Sequence, residues 1–180
     1  MQILLIILST IAVIIILMLI LALFVRKNYS VEREITVNQP SQTVFNYIKY
    51  LKNQDSFSKW ATMDPHMKKE YRGTDGTPGF VSAWDSQDKN VGKGEQEILK
   101  VTEGQRLDFE IRFIRPFPGK SQAYMTTESA GVNLTLVKWG FASRMKYPTN
   151  LMLLFMNMEK MIGNDLSTGL NNMKMITEKK

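Results

Sequence analysis

The sequence of 180 residues contains no cysteine and only one histidine, His66. The absence of cysteine excludes disulfides, thiolate-bound metals and cysteine nucleophiles within this chain. A single histidine cannot provide the paired imidazoles of a typical zinc site, so no metal and no cofactor are predicted. His66 is a candidate general base, with Asp64 close enough in the sequence to support it. A solvated position of His66 in a loop is the simpler interpretation.

Nucleotide-binding motifs are also incomplete. Gly92 and Gly94 are followed by Glu97 where a dinucleotide fingerprint requires a third glycine. Residues 119–121 end like a P-loop, but Ile114 occupies the place of its first glycine. The lysines and arginines, which give a formal net charge of +6, are scattered among acidic residues. The sequence therefore predicts no nucleic-acid partner.

The chain does contain an apolar run over residues 3–25, interrupted only by Ser9 and Thr10 and followed by Arg26 and Lys27. A helix of about 23 residues is long enough to cross a hydrocarbon core of about 30 Å. A cleaved signal peptide would need basic residues before the run, a shorter apolar stretch and small residues at its end. The sequence predicts instead a single-pass anchor over residues 1–27, in contact with the membrane through residues 3–25. The positive-inside rule predicts that the domain formed by residues 28–180 is cytoplasmic.

Alternating apolar and polar residues predict a strand after the anchor, with Val31, Ile35 and Val37 on one face and Arg33 as the one misfit there. Two short helices are predicted next, the first opened by Pro40 and the second carrying Phe57 and Trp60. About six further strands, separated by glycine-rich turns, are predicted within residues 67–143. One face of such an antiparallel sheet should be covered.

The last of these strands has apolar residues on both faces, because Leu134 and Leu136 alternate with Val137 and Trp139. After Pro148 the apolar spacing predicts one long amphipathic helix that runs to the end of the chain. Glycine costs about 1 kcal/mol relative to alanine inside a helix. Gly163 and Gly169 therefore predict either a kink or a close backbone contact.

This order of elements resembles the SRPBCC superfamily, in particular its polyketide cyclase/dehydrase type, which is related to lipid-binding START domains. The resemblance is carried by short segments along residues 31–179, namely residues 31–35, Pro40, Val44, Phe45, Trp60, Asp64, Pro65, residues 73–79, 82–84, 91–94, Pro116, Phe117, Gly119, Lys120 and residues 150–163. It implies an α+β helix-grip fold, in which a curved antiparallel sheet of about seven strands wraps around the long C-terminal helix, in addition to the N-terminal transmembrane helix.

The resemblance further implies an apolar cavity between the sheet and the C-terminal helix. It also favours an inward orientation of Leu134 and Leu136, with Lys138 on the same face or at the cavity mouth. The twelve methionines supply the adaptable surface of a tolerant pocket, although they also fill irregular gaps in packed cores. The residues predicted to line the cavity are Trp60, Phe80, Trp84, Phe109, Phe113, Met125, Leu136, Phe155, Met158 and Ile162.

The sequence thus predicts a membrane-anchored, non-enzymatic binding domain for a hydrophobic small molecule or lipid. No catalytic residue is assigned. The first alternative is a cyclase or dehydratase in which Tyr124, Lys138, Arg112 or His66 points into the cavity as an acid or base. The second is an interaction module without a ligand, in which the apolar start of the last helix docks on a protein partner.

Overall fold

In a computed structural model, which describes residues 1–179, an apolar helix precedes an α+β domain. The helices are α1 Gln2–Phe24, α2 Ser41–Ile48, α3 Leu51–Phe57, α4 Lys59–Met63 and α5 Met158–Glu178, and a 3-10 helix spans Thr149–Leu154. The strands are β1 Asn28–Val37, β2 Lys68–Arg72, β3 Val81–Asp85, β4 Lys93–Thr102, β5 Arg106–Arg115, β6 Gly119–Gly131 and β7 Leu134–Arg144. The predicted seven strands are confirmed.

The strands form one antiparallel sheet in the order β1-β7-β6-β5-β4-β3-β2. Strands β2 to β7 follow one another as a meander, and β1 pairs with β7 at the edge of the sheet. The sheet curves around α5, which packs chiefly against β1 and the short helices α3 and α4. This is the helix-grip arrangement that the sequence predicted.

The register brings one set of strand ends close to α1. Asn28, which follows α1 closely, pairs with Arg144, and Ser143 pairs with Ser121. Further across the sheet, the starts of β6 and β4 lie beside the ends of β5 and β3. The connecting segments 86–92, 116–118 and 145–157 therefore lie at the same end of the sheet as the exit of α1. We call this the α1 end of the domain.

The C-terminal end of α1 is bonded to the segment that precedes α5. The Asn150 side-chain amide donates to the carbonyls of Ala22 (2.8 Å) and Val25 (3.0 Å), and the Tyr147 hydroxyl donates to the carbonyl of Leu19 (3.3 Å). The last carbonyls of a helix lack intrahelical partners, so Asn150 acts as a side-chain cap for α1. Asn150 is fully buried. The domain and α1 are thus joined by specific hydrogen bonds as well as by the chain.

The predicted single helix after Pro148 is wrong at its start. Residues 149–154 form the 3-10 helix, and α5 begins only at Met158, where the Asn157 side chain accepts a hydrogen bond from the backbone of Lys160. Asparagine is a preferred N-cap residue because it satisfies a free amide of the first turn. Since Asn150 is held against α1, the segment before this cap lies beside α1 instead of extending α5.

The predicted orientation of Leu134, Leu136 and Lys138 is also wrong, because β7 turns its other face inward. Val137 and Trp139 are buried, whereas Leu136 and Lys138 lie on the opposite face. A shift of one residue in a strand exchanges its two faces. The ring of Trp139 decides between them, since it packs edge-on against Phe57 and Trp60 at centroid distances of 5.7 and 6.4 Å.

Gly163 and Gly169 of α5 both allow a neighbouring side chain to approach closely. Of the two alternatives predicted for them, a kink or a close contact, the structure shows the close contact. A Cβ atom on Gly169 would lie 2.6 Å from Cζ3 of Trp139, and one on Gly163 would lie 2.0 Å from Nη2 of Arg33. Arg33 faces inward, as the sequence pattern indicated. The guanidinium of Arg33 donates to the carboxylate of Glu159 (2.6 Å) and to the backbone carbonyl of Glu159 (3.0 Å). The misfit of β1 therefore ties the edge strand to the start of α5.

The outer face of the sheet carries a network of ion pairs. Arg112 donates to Glu95, Glu97 and Glu110 at 2.7 to 2.9 Å, and Arg72 reaches Glu95 as well. The hydrogen bond from Arg112 holds the pKa of Glu95 below its ordinary value, against the opposing effect of burial. The pKa of Glu110 is lowered in the same way by Arg112.

These lowered pKa values predict acid sensitivity. A carboxylate whose pKa is lower in the folded than in the unfolded state stabilises the fold above its unfolded pKa of about 4.3, and this contribution is lost as the pH falls through the folded value. We expect Glu95→Gln to cost no more than about 1 kcal/mol at pH 7, since water screens the pair, and to weaken the dependence on pH below 5. Urea unfolding of the full chain in detergent micelles at several pH values measures both effects.

The control is Glu128→Gln, at an exposed position of β6. An unchanged pH dependence for Glu95→Gln would contradict this prediction.

Candidate functional site

The inner face of the sheet changes along its length from a packed core to a partly exposed surface. On β5, Leu107 and Phe109 are fully buried, whereas Ile111 and Phe113 towards the α1 end are partly exposed. On β7, Val137 is likewise buried and Phe141 is partly exposed. An apolar face that remains partly accessible beside a packed core is typical of a ligand site. The candidate site is this α1 end of the inner face.

Hydroxyl groups interrupt the apolar surface there. Tyr29, Ser143 and Ser121 stand side by side on β1, β7 and β6, and the Ser121 and Ser143 hydroxyls are 2.8 Å apart. The Tyr29 ring lies 6.3 Å from that of Phe141. Burial raises the pKa of the Tyr29 phenol above its ordinary value, and a hydrogen bond with Ser143 partly offsets this effect. Tyr29 therefore remains a neutral hydrogen-bonding group at physiological pH.

A pair of side-chain amides, one of them buried, lies deeper on the same face. Gln96 on β4, whose cross-strand neighbour is Ile111, donates to the Gln54 side chain of α3 at 3.1 Å. Gln54 is 7% exposed, and its own Nε2 has no hydrogen-bond partner among the described residues. A buried donor without a partner costs about 1–3 kcal/mol. This donor is a candidate contact for a polar group of a bound ligand.

Two aromatic residues from the predicted cavity lining, Trp84 and Phe113, form the border of this surface that lies away from β1. Trp84 of β3 packs across Gly94, where an added Cβ would lie 2.6 Å from its ring, and meets Phe113 edge-on at 6.4 Å. The Trp84 indole donates to the carbonyl of Val91, at 3.3 Å. The segment 86–92 is thereby tied to the α1 end of the inner face.

Open depressions flank Tyr29 at the edge of the sheet. One of about 390 Å³ is lined by residues 28–30, 120–122 and 142–144. Another of about 360 Å³ is lined by Arg26, residues 28–31, Met158 and Glu159. Both are outside the packed core, so the accessible space lies at the rim of the site and beside the start of α5.

The residues predicted to line the cavity occupy three kinds of position. Phe80, Phe109 and Met125 are fully buried in the core. Trp60, Trp84, Phe113, Met158 and Ile162 are partly exposed, and all but Trp60 lie towards the α1 end or the start of α5. Leu136 lies on the outer face, and Phe155, which is 78% exposed, projects from the segment before α5. Four polar residues at inward positions were not predicted from the sequence: Tyr29, Ser121, Ser143 and Gln54.

The four candidate acids and bases lie elsewhere. Three of them, Tyr124, Lys138 and Arg112, are on the outer face. Tyr124 donates a hydrogen bond to Glu32, and Lys138 lies 3.5 Å from Glu34. Arg112 takes part in the ion-pair network described above. His66 is exposed in the loop before β2. Within residues 1–179, no group of three or more His, Asp or Glu side chains is placed to hold a metal ion.

The curved sheet, the C-terminal helix and the site between them define a helix-grip domain of the SRPBCC type. The chain belongs to the family described as polyketide cyclase / dehydrase and lipid transport, whose profile matches residues 29–178. The match leaves out α1, which is the one described helix long and apolar enough to cross a membrane. No match is found among curated proteins.

Solved structures agree on the fold. The crystal structure of Ara h 8.0201 has 16% identity to this chain and a TM-score of 0.61, and the alignment covers 85% of this chain and 99% of that one. Truncated norcoclaurine synthase from Thalictrum flavum has 10% identity and a TM-score of 0.61, with coverages of 84% and 94%. Protein CV1439 from Chromobacterium violaceum has 11% identity and a TM-score of 0.58, with coverages of 83% and 96%.

Proposed function

We propose that this protein is a membrane-anchored binding domain that holds a hydrophobic small molecule or lipid between its sheet and α5. The observation that carries the proposal is the inner face itself, which is apolar, partly exposed and open at the end next to α1. The description of the family includes lipid transport. One related structure, norcoclaurine synthase, is in complex with dopamine and hydroxybenzaldehyde.

The permanence of the anchor is part of the proposal. Every residue of α1 except Leu19 and Ala22 is exposed, and Arg26 and Lys27 follow it. Buried Asn150 takes two of its hydrogen-bond partners from the end of this helix. Removal of α1 as a signal peptide would take both of these partners away from the side chain. These bonds support a helix that stays. The basic residues Arg26 and Lys27 support a domain on the cytoplasmic side.

Binding in this proposal is driven by desolvation. An apolar ligand leaves the bilayer, enters between the segments 116–118 and 145–157 and covers Ile111, Phe113 and Phe141, each Å² of apolar surface contributing roughly 25 cal/mol. The hydroxyls of Tyr29 and Ser143 and the free amide of Gln54 are available for a polar head. The anchor raises the effective concentration of the domain at the source of the ligand.

An acid–base enzyme has less support, because the four groups named for such chemistry do not reach the inner face. Tyr29 is an ionisable side chain on the inner face of the site, and its raised pKa keeps it protonated. A neutral phenol is suited to donating a hydrogen bond rather than to accepting a proton. Binding without chemistry is therefore the function that this surface supports best.

The test fills the site with a bulky side chain. We expect Ser143→Trp, on the inner face of β7, to reduce ligand capture roughly tenfold, equivalent to about 1.4 kcal/mol. The matched control, Leu136→Trp, places the same side chain on the outer face of the same strand, away from the depressions beside Tyr29. The full chain is reconstituted in nanodiscs with a photoactivatable fatty acid, and crosslinked peptides are identified by mass spectrometry.

Crosslinks to β5 and β7 report capture in the site, whereas crosslinks to α1 report contact with the bilayer and serve as an internal reference. The proposal requires site crosslinks in the native chain and in Leu136→Trp, and their loss in Ser143→Trp. Crosslinks confined to α1 in all three proteins would rule out a binding site on the inner face.

A further inference from the structure

The surface at the α1 end carries large apolar side chains that face solvent. Phe155 is 78% exposed, Leu154 53% and Met152 42%, and Phe117, between β5 and β6, is 80% exposed. All four lie in the segments that the register brings to one end of the sheet, beside the exit of α1. Clustered exposed apolar residues on a folded domain mark an interaction surface.

The contacts with α1 determine where this surface lies along the length of α1. Tyr147 bonds to the carbonyl of Leu19, which precedes the last helical residue, Phe24, by about 7.5 Å at 1.5 Å per residue. Asn150 bonds to Ala22 and Val25. The 3-10 helix therefore lies alongside the last turns of α1 instead of below it. Tyrosine is a residue that favours the boundary between lipid and water.

Three exposed basic side chains stand beside the exit of α1. Arg26 follows α1, Arg144 ends β7, and Lys146 precedes Tyr147, and all three side chains are exposed. The backbone amide of Met145 donates to the carbonyl of Lys27 at 2.9 Å, which brings the two basic segments together. Basic residues beside an apolar surface match a membrane with anionic headgroups.

We propose that the 3-10 helix with Phe155 and Phe117 forms a second, shallow membrane contact, inserted into the leaflet from which α1 emerges. This inference rests on the proposed membrane-spanning role of α1. Its occupant is the lipid bilayer itself. With Met152, Leu154, Phe155 and Phe117 in the leaflet, the open end of the inner face lies against lipid, and a ligand passes from the bilayer to the site without crossing water.

The chain has no cysteine, so each introduced cysteine can be labelled uniquely. The experiment uses the full chain in vesicles of phosphatidylcholine and phosphatidylglycerol, with an environment-sensitive fluorophore at Phe155→Cys, Leu154→Cys or Phe117→Cys. Lipids that carry a nitroxide on the acyl chain quench labels in the bilayer, and iodide quenches labels in water. Val132→Cys, 96% exposed in the turn between β6 and β7 at the opposite end of the sheet, is the control for water. Ile14→Cys in the middle of α1 is the control for lipid.

The proposal predicts lipid quenching several-fold stronger at positions 117, 154 and 155 than at position 132, together with protection from iodide. Lipid quenching at position 14 without quenching at these three positions would overturn the second contact and leave the anchor intact. Absence of lipid quenching at position 14 would overturn both. A label at position 155 that is shielded from iodide but not quenched by lipid would place this surface against a protein, which also overturns the proposal.

Discussion

Replacing Trp139 with alanine is expected to lower the free energy of unfolding by about 3–5 kcal/mol, the range measured for large aromatic residues in packed cores. Trp139 is 4% exposed, and its ring touches Phe57, Trp60 and the backbone of α5 at Gly169. The residue therefore joins the sheet to three helices. Its removal leaves a cavity that these rigid elements cannot close.

The measurement is urea unfolding of the full chain in detergent micelles. Unfolding is monitored by far-UV circular dichroism of the backbone and not by tryptophan fluorescence, which the substitution itself would change. Trp84→Ala is the matched control, because Trp84 is also an inward tryptophan of the sheet but is partly exposed at the α1 end. We expect its cost to be less than half that of Trp139→Ala. Equal costs for the two substitutions would show that Trp139 does not organise the core.

Gly169→Ala is expected to destabilise the protein by about 1–2 kcal/mol, although the same change inside an unobstructed helix stabilises by about 1 kcal/mol. The added Cβ would lie 2.6 Å from the Trp139 ring and 3.5 Å from the carbonyl of Phe57. Trp139 cannot retreat, because the rings of Phe57 and Trp60 pack against it. Overpacking thus outweighs the gain in helix propensity.

Gly163→Ala, in the same helix, is the control for this effect. Its Cβ would meet the guanidinium of Arg33, which is a flexible group that can turn towards water at the expense of a partly exposed ion pair with Glu159. We expect it to cost less than Gly169→Ala under the same urea conditions. The cost of Gly169→Ala should largely disappear when Trp139→Ala is also present. Additive effects in the double variant would contradict a direct clash.

Most of the fold could be predicted from the sequence because its signals are local. Alternation along β1 and β5 and the glycine-rich turns specify the strands, and the spacing of Leu166, Leu170 and Met173 specifies α5. The direction of β7 could not be predicted, since apolar residues occupy both faces and the choice depends on the space that Gly169 leaves for Trp139. That space belongs to another element and is visible only in three dimensions.

The start of α5 was missed for a similar reason. The apolar spacing continues from Leu151 to Ile162 without a break, but the 3-10 helix before Met158 lies beside α1, and Phe155 is exposed. Asn157 was the signal that could have indicated the boundary, as a preferred N-cap residue. The hydroxyls of Ser121 and Ser143 were equally available, because each stands at an inward position of its strand, but recognising them required the correct register of β7.

The pairing of β1 with β7 has a consequence for how the protein is made. Strand β1 finds its partner only after β7 has left the ribosome, whereas the apolar helix α1 is synthesised before both strands. If α1 inserts as it emerges, β1 is held at the membrane surface with an unpaired edge until β7 has been made, and such edges favour aggregation. The charged residues Glu32, Arg33 and Glu34 at the centre of this strand are well placed to keep it soluble during that interval.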